Sequence, residues 1–197
     1  MDTIKLIITL FMLLSANILQ ADFDHKVPLD EDGFWGAHYD IPKYTLFALV
    51  GMAAYEGTES RIGKTAWQSL DAGLMSQIIT EGVKRATGRK RPRSTDSPNK
   101  WFQGGQSFPS GHVSGMTAMV TPFVLEYEEE YPLVHLLWTL PLHQMGGRVK
   151  AQAHWQSDVL VGALVGFASG YWAHKRKDPL LLYFDTDKVV VGLKHRF

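Results

Sequence analysis

The sequence predicts a single, mainly helical domain that ends in a small β-hairpin. Three observations carry this. Apolar residues recur at helical spacing in successive stretches, the period changes only near the C-terminal end, and no linker rich in Pro, Gly or Ser divides the 197 residues in two. Hydrophobic residues make up 45% and charged residues 20%, ordinary for a folded chain and too polar on average for a multi-span membrane protein.

Residues 1–21 read as an address. A short start containing Lys5 precedes the apolar stretch Leu6 to Leu14, and Leu19-Gln20-Ala21 offers a small residue at a cleavage point. The expectation is a secretory signal peptide and export to the periplasm; the alternative is an uncleaved anchor in the inner membrane. Residues 22–42 mix acidic residues, Gly, Pro and the aromatics Phe34, Trp35 and Tyr39 without a period, and predict an irregular arm.

The helical domain follows over 43–178. Tyr44 to Tyr55 is almost wholly apolar, and Lys64 to Lys84 carries Trp67, Leu70, Leu74, Ile78 and Val83 at helical spacing, so two helices are expected. Gly88 to Phe108, rich in Gly, Pro, Ser and basic residues, interrupts this pattern for about twenty residues, a length at which loops are usually functional. Pro109-Ser110-Gly111 marks a helix start, and the apolar run Val113 to Leu125 stops at Glu126, Glu128, Glu129 and Glu130. Pro132 opens a further apolar segment through Leu142. A last helix is expected from His154 to His174, where Val159, Leu160, Ala163, Leu164, Phe167 and Tyr171 keep the period and intervening glycines allow close packing. In 179–197, Leu181 to Phe184, the break Asp185-Thr186-Asp187 and Val189 to Val191 predict the hairpin or tail.

Three helical runs are apolar enough to raise the question of a membrane. They fall short of the roughly 20 residues a span needs, or contain His135 and His143, so buried core helices are expected, with peripheral contact at a membrane surface as the alternative. Lys plus Arg equal Asp plus Glu at 20 each, which gives the whole chain no electrostatic preference for nucleic acid. The absence of Cys excludes disulfides, thiolate zinc sites and a cysteine nucleophile.

Three clusters carry chemistry. The first is Lys84 with Arg91-Pro92, a compact ammonium and a planar fork that hold phosphate oxygens in complementary ways. Their separation of seven approaches two helical turns, although Gly88 and Pro92 argue against an unbroken helix. The alternative is a solvated basic face formed with Arg85, Arg89, Lys90 and Arg93. The second is Pro109-Ser110-Gly111-His112, where a helix N-terminus exposes unpaired N–H groups to an anion and His112 stands beside it as a proton donor. The alternative is a Ser110 that only caps and a surface His112. The third is Arg148, His154 and Asp158. The spacing of four places His154 and Asp158 on one helix face, so that the carboxylate orients the ring and its other nitrogen attacks phosphorus, while Arg148 neutralises the equatorial oxygens. The alternatives are a surface His/Asp pair and an incomplete metal site.

In these motifs, and in their order, the chain resembles the type 2 phosphatidic acid phosphatase (PAP2) family, which shares its site with bacterial class A acid phosphatases and vanadium haloperoxidases. The resemblance covers about residues 80–170. It implies an all-α bundle of the PAP2/haloperoxidase type, a phosphorylated His154, leaving-group protonation by His112, phosphate held by Lys84, Arg91 and Arg148 with groups of Ser110 and Gly111, and no metal or other cofactor for phosphatase activity. One departure stands out: Gly147 precedes Arg148 where the family usually has Ser. The function expected is an exported phosphatase acting on monoesters or diphosphates, with a lipid phosphate or isoprenyl diphosphate as the favoured substrate. The alternatives are a non-specific acid phosphatase on small soluble esters, a vanadium haloperoxidase, and a non-enzymatic module that binds an anionic ligand.

Overall fold

Helix boundaries follow the turn chemistry of the chain in a computed structural model that describes residues 23–176, 182–185 and 188–191. The expected signal peptide lies outside the described residues. Within the arm a short helix α1 (Gly33–Gly36) and a 3-10 turn (Ala37–Tyr39) form, so the segment is more ordered than its aperiodic sequence suggests. Helix α2 (Ile41–Glu56) begins with Pro42 in its first turn, where a missing N–H removes no helical bond. Helix α3 (Arg61–Thr87) is capped by Ser60, whose hydroxyl accepts the Gly63 N–H at 3.0 Å. It ends at Gly88, whose left-handed φ of +53° suits glycine.

Helix α4 (Gly111–Tyr127) follows the long loop. A 3-10 segment (Pro132–Trp138) leads into α5 (Thr139–Lys150), and α6 (Gln156–Lys175) closes the bundle. At the C-terminal end, β1 (Leu182–Asp185) pairs antiparallel with β2 (Lys188–Val191), Leu182 opposite Val191.

The bundle is organised around α4 and α6. Gly162, Gly166 and Gly170 recur every fourth residue and so share one face of α6. A Cβ on Gly162 would lie 2.6 Å from the Ser110 carbonyl oxygen, one on Gly166 2.3 Å from that of Ser114, and one on Gly170 2.4 Å from Thr121 Cβ. The two backbones therefore approach at a distance that only glycine on one side permits. Apolar packing continues on the other side of α4, where Met116, Met119, Val120 and Val124 meet Ala66, Trp67 and Leu70 of α3 and Leu49 and Ala53 of α2.

Two apolar runs expected in the core lie elsewhere. Helix α2 buries only Leu49 and Ala53, and Tyr44, Phe47 and Tyr55 are 70%, 70% and 89% exposed. The 3-10 segment buries no residue fully, and Leu133 and Leu136 face outward. Both runs are apolar around their circumference, so composition alone did not separate a core face from an outer one. Among the described residues no helix is long and apolar enough to cross a membrane.

The loop after α3 is tied back onto that helix by its own backbone. The Phe102 N–H donates to the Thr87 carbonyl at 2.7 Å, those of Gln103 and Gly105 to Gly88 at 3.0 and 2.9 Å, and that of Ser107 to Arg89 at 3.0 Å. This fixes residues 88–108 as a wall at one end of the bundle. At the opposite end of α4, Arg61 donates to Glu126 and Glu130 at 2.6 Å each, which neutralises part of the acidic cluster.

Gly166→Val tests the α4–α6 contact. Driving a branched side chain into the Ser114 backbone should destabilise the fold by about 1–3 kcal/mol or more in urea unfolding. An unchanged midpoint would show that the helices do not meet there.

Candidate active site

One end of the bundle collects every site residue the sequence singled out. Lys84 comes from the last turn of α3, Arg91 from the loop, Ser110, Gly111 and His112 from the start of α4, Arg148 from the last turn of α5, His154 from the residues just before α6 and Asp158 from its first turn. Lys84 and Arg91 do not share a helix face, because α3 stops at Thr87. The folded-back loop brings Arg91 to the site instead.

His154 lies before α6, and Trp155 occupies the N-cap position. The expected face-sharing pair of His154 and Asp158 on one helix is therefore replaced by a different geometry. The His154 Nδ1–H donates to the Ser107 carbonyl at 2.6 Å, while Asp158 Oδ2 is 3.8 Å from that nitrogen, too far for a hydrogen bond. Asp158 acts on the ring partly through its charge and partly through Ser107, whose hydroxyl donates to Oδ2 at 2.5 Å. The same oxygen accepts the Trp155 N–H at 2.8 Å, the reach-back bond that holds the start of α6. With Nδ1 committed as a donor, Nε2 of the neutral ring carries the lone pair. Burial pushes the His154 pKa down to about 4, with Arg148 and Arg91 adding to the effect against Asp158, so the ring is neutral near pH 7.

Asp158 is itself fully buried and remains ionised. Burial favours its neutral form, but His154, Arg89 and Ser107 outweigh that and hold its pKa below the usual carboxylate range. Arg89 is the partner the sequence did not disclose. Its guanidinium donates to Asp158 Oδ1 at 2.5 Å, Ser157 Oγ at 2.8 Å, Asp24 Oδ2 at 2.6 Å and the Pro98 carbonyl at 3.0 Å, and it lies over the Trp101 ring at 4.4 Å. Asp24 in turn accepts the Ser157 N–H at 2.7 Å. In the sequence Arg89 is one basic residue among six in a run of ten, and Asp24 sits in an aperiodic arm. Neither position has a spacing signal.

The basic run is divided by the fold. Arg85 is exposed and paired with Glu81 at 3.1 Å, Arg89 turns inward, and Lys84 and Arg91 enter the site. Lys84 Nζ lies beside Gly111, where an added Cβ would come within 3.0 Å of it. Desolvation lowers the pKa of Lys84, Arg91 and Arg148; Arg91 and Arg148 lower Lys84 further, Arg93 lowers Arg91, and Arg91 and Arg93 lower Arg148. His112 is lowered in the same way, first by partial withdrawal from bulk water and then by Arg148, His154 and Lys84. Ser110 stands at the N-cap of α4, but its hydroxyl makes no cap; among the described residues Oγ is buried without a partner, as is Arg148 Nε. Crowded cations, unpaired donors and a helix N-terminus together form a receptor for a multiply charged anion.

Comparison with known proteins gives the family and the fold. The family model described as the PAP2 superfamily matches residues 66–179. The chain is 33% identical over 137 residues to the lipid A 1-phosphatase of Porphyromonas gingivalis, an alignment that takes in 67% of this chain and spans 28% of the length of that relative. The crystal structure of Aquifex aeolicus LpxE superposes with a TM-score of 0.55 at 23% identity, over 73% of this chain and 84% of the other, and shares the fold.

Arg89→Met should cost about 3–5 kcal/mol, because it leaves Asp24 and Asp158 as uncompensated buried charges. Urea unfolding monitored by Trp fluorescence measures this, and a loss below about 1 kcal/mol would contradict the network.

Proposed function

This chain belongs to the PAP2 superfamily, and from that premise we propose that it hydrolyses lipid phosphate esters through a phosphohistidine formed on His154. The observation that carries the reading is the placement of a neutral, buried imidazole with its Nε2 free among Lys84, Arg91 and Arg148. In the first step Nε2 attacks phosphorus and the bond to the leaving oxygen breaks. Nδ1–H stays on the Ser107 carbonyl, and Asp158 offsets the positive charge that develops on the ring. His112 supplies the proton to the leaving oxygen.

Burial first, then Arg148, His154 and Lys84, keep His112 neutral, so its proton arrives with the substrate, whose negative charge reverses the local repulsion. In the second step the neutral His112 takes a proton from water as the water oxygen attacks the phosphohistidine, and inorganic phosphate leaves. Lys84, Arg91, Arg148 and the first amides of α4 hold the equatorial oxygens through both steps.

The lipid part of the reading rests on surface. The outward aromatics Tyr44, Phe47 and Tyr55 on α2 and the outward Leu133 and Leu136 offer apolar area to a membrane interface. An apolar groove of about 360 Å³ between α5 and α6, lined by Trp138, Leu142, Met145, Leu164 and Phe167, lies apart from the catalytic cluster and suits hydrocarbon. The similarity to a lipid A 1-phosphatase points to the same substrate class. The reading includes export: the apolar stretch Leu6 to Leu14 after Lys5 supports a secretory signal, which would put the site on the periplasmic side.

Phosphate release from lipid A, phosphatidic acid, an isoprenyl diphosphate and p-nitrophenyl phosphate in one detergent tests the reading. Release should favour a lipid, fall by at least about 10³-fold in His154→Asn, and fall about 10²–10⁴-fold in His112→Asn. Preference for p-nitrophenyl phosphate, or activity that survives His154→Asn, would overturn it.

A further inference from the structure

The glycine before Arg148 has a structural counterpart in the N-terminal arm. A Cβ on Gly146 would lie 2.2 Å from the Trp35 ring, and one on Gly147 would lie 2.6 Å from His38 Cβ and 2.9 Å from His38 Nδ1. The Gly146-Gly147 pair is the seat on which Trp35 and His38 rest, and a serine at position 147 has no room. His38 is fully buried. Its Nδ1–H donates to the Trp35 carbonyl at 2.5 Å, and its own carbonyl accepts from Gln144 Nε2 at 2.7 Å, so both ring and backbone are held. Nε2 is buried and has no partner among the described residues, so its hydrogen-bonding capacity is left open to a group that the fold does not supply. Arg148 and His112 are its electrostatic neighbours, and the Arg148 Nε is likewise buried and unpaired.

We propose that His38 binds the phosphoryl group directly, with one proton held between Nε2 and a phosphoryl oxygen. This rests on the phosphatase reading above. The proton balance is simple. A dianionic phosphate binds with uptake of one solvent proton by Nε2, which then donates; a monoanionic phosphate brings its own P–OH, which donates to the Nε2 lone pair. Both routes end in the same arrangement. The groups facing His38 are Arg148 and His143 from α5, His112 from α4, and Glu31 and Tyr39 from the arm. Burial first, then the charge of Arg148, keeps the ring neutral until the anion arrives, against the pull of the Trp35 carbonyl and Glu31.

His38→Asn keeps a donor for the Trp35 carbonyl and removes Nε2; His38→Gln places a neutral amide near the Nε2 position. Calorimetric titration with inorganic phosphate, at a pH where phosphate is dianionic and in two buffers of different ionisation enthalpy, gives both affinity and protons taken up. His38→Asn should bind phosphate about tenfold more weakly or worse and take up about one proton fewer than the wild type. His38→Gln should retain more of the affinity yet show the same proton deficit, and it decides the matter alone if His38→Asn does not fold. Wild-type affinity in His38→Asn, or unchanged proton uptake in the folded variants, would overturn the proposal. If either occurs while His154→Asn still abolishes hydrolysis, the phosphatase reading stands without His38. A wild-type protein that neither binds phosphate nor hydrolyses a phosphate ester would end both.

Discussion

The site depends on a buried ion network in which Arg89 lies between Asp24 and Asp158. All three side chains are withdrawn from water, so each charge is tolerable only because the others are present. The network joins the arm, the folded-back loop and the first turn of α6. Through the Ser107 hydroxyl and carbonyl it also reaches the ring of His154. A buried network of this kind contributes little net stability compared with an apolar replacement, and its value lies in specifying one arrangement. Here the arrangement specified is the tautomer and direction of the imidazole.

Around that ring the protein gathers charge of one sign. Lys84, Arg91 and Arg148 are partly or fully removed from solvent; burial disfavours their ionised forms, and neighbouring guanidinium groups disfavour them further. Ser110 Oγ and Arg148 Nε lack partners among the described residues. Such groups are costly in the free protein and become favourable when an anion enters, so part of the folding free energy is held as preorganisation for binding. Close packing makes this possible. The glycine stripe on α6 sets its backbone against α4, and the Asp158 carbonyl accepts the Ser110 N–H at 2.9 Å, which locks the anion-binding helix start to the element that carries the carboxylate.

Much of this was legible in the sequence. The helical period gave α3, α4 and α6 within a few residues, and the long interruption at 88–108 marked the wall of the site. The three motifs named Lys84, Arg91, Ser110, Gly111, His112, Arg148, His154 and Asp158, which the fold brings to one end. Spacing was a weaker guide to how residues act. His154 and Asp158 are four apart, yet the helix starts between them and the hydrogen bond goes to Ser107. Arg89 and Asp24 could not be found from period or motif, because their pairing spans 65 positions and only the fold creates it. The arm looked irregular because its order comes from contact with α5, where Gly146 and Gly147 receive Trp35 and His38. The outer faces of α2 and the 3-10 segment were unreadable for the opposite reason: apolar residues all round give no direction.

In the proposed reaction the oriented, neutral His154 becomes covalently phosphorylated. Rapid acid-free quenching of the wild-type protein with a substrate labelled in its phosphate, followed by alkaline peptide mapping, addresses it directly. A label that is stable to alkali, labile to acid and confined to the peptide containing His154 is the predicted result. A label on another residue, or steady turnover with no phosphoenzyme trapped at any time before the steady state, would contradict it.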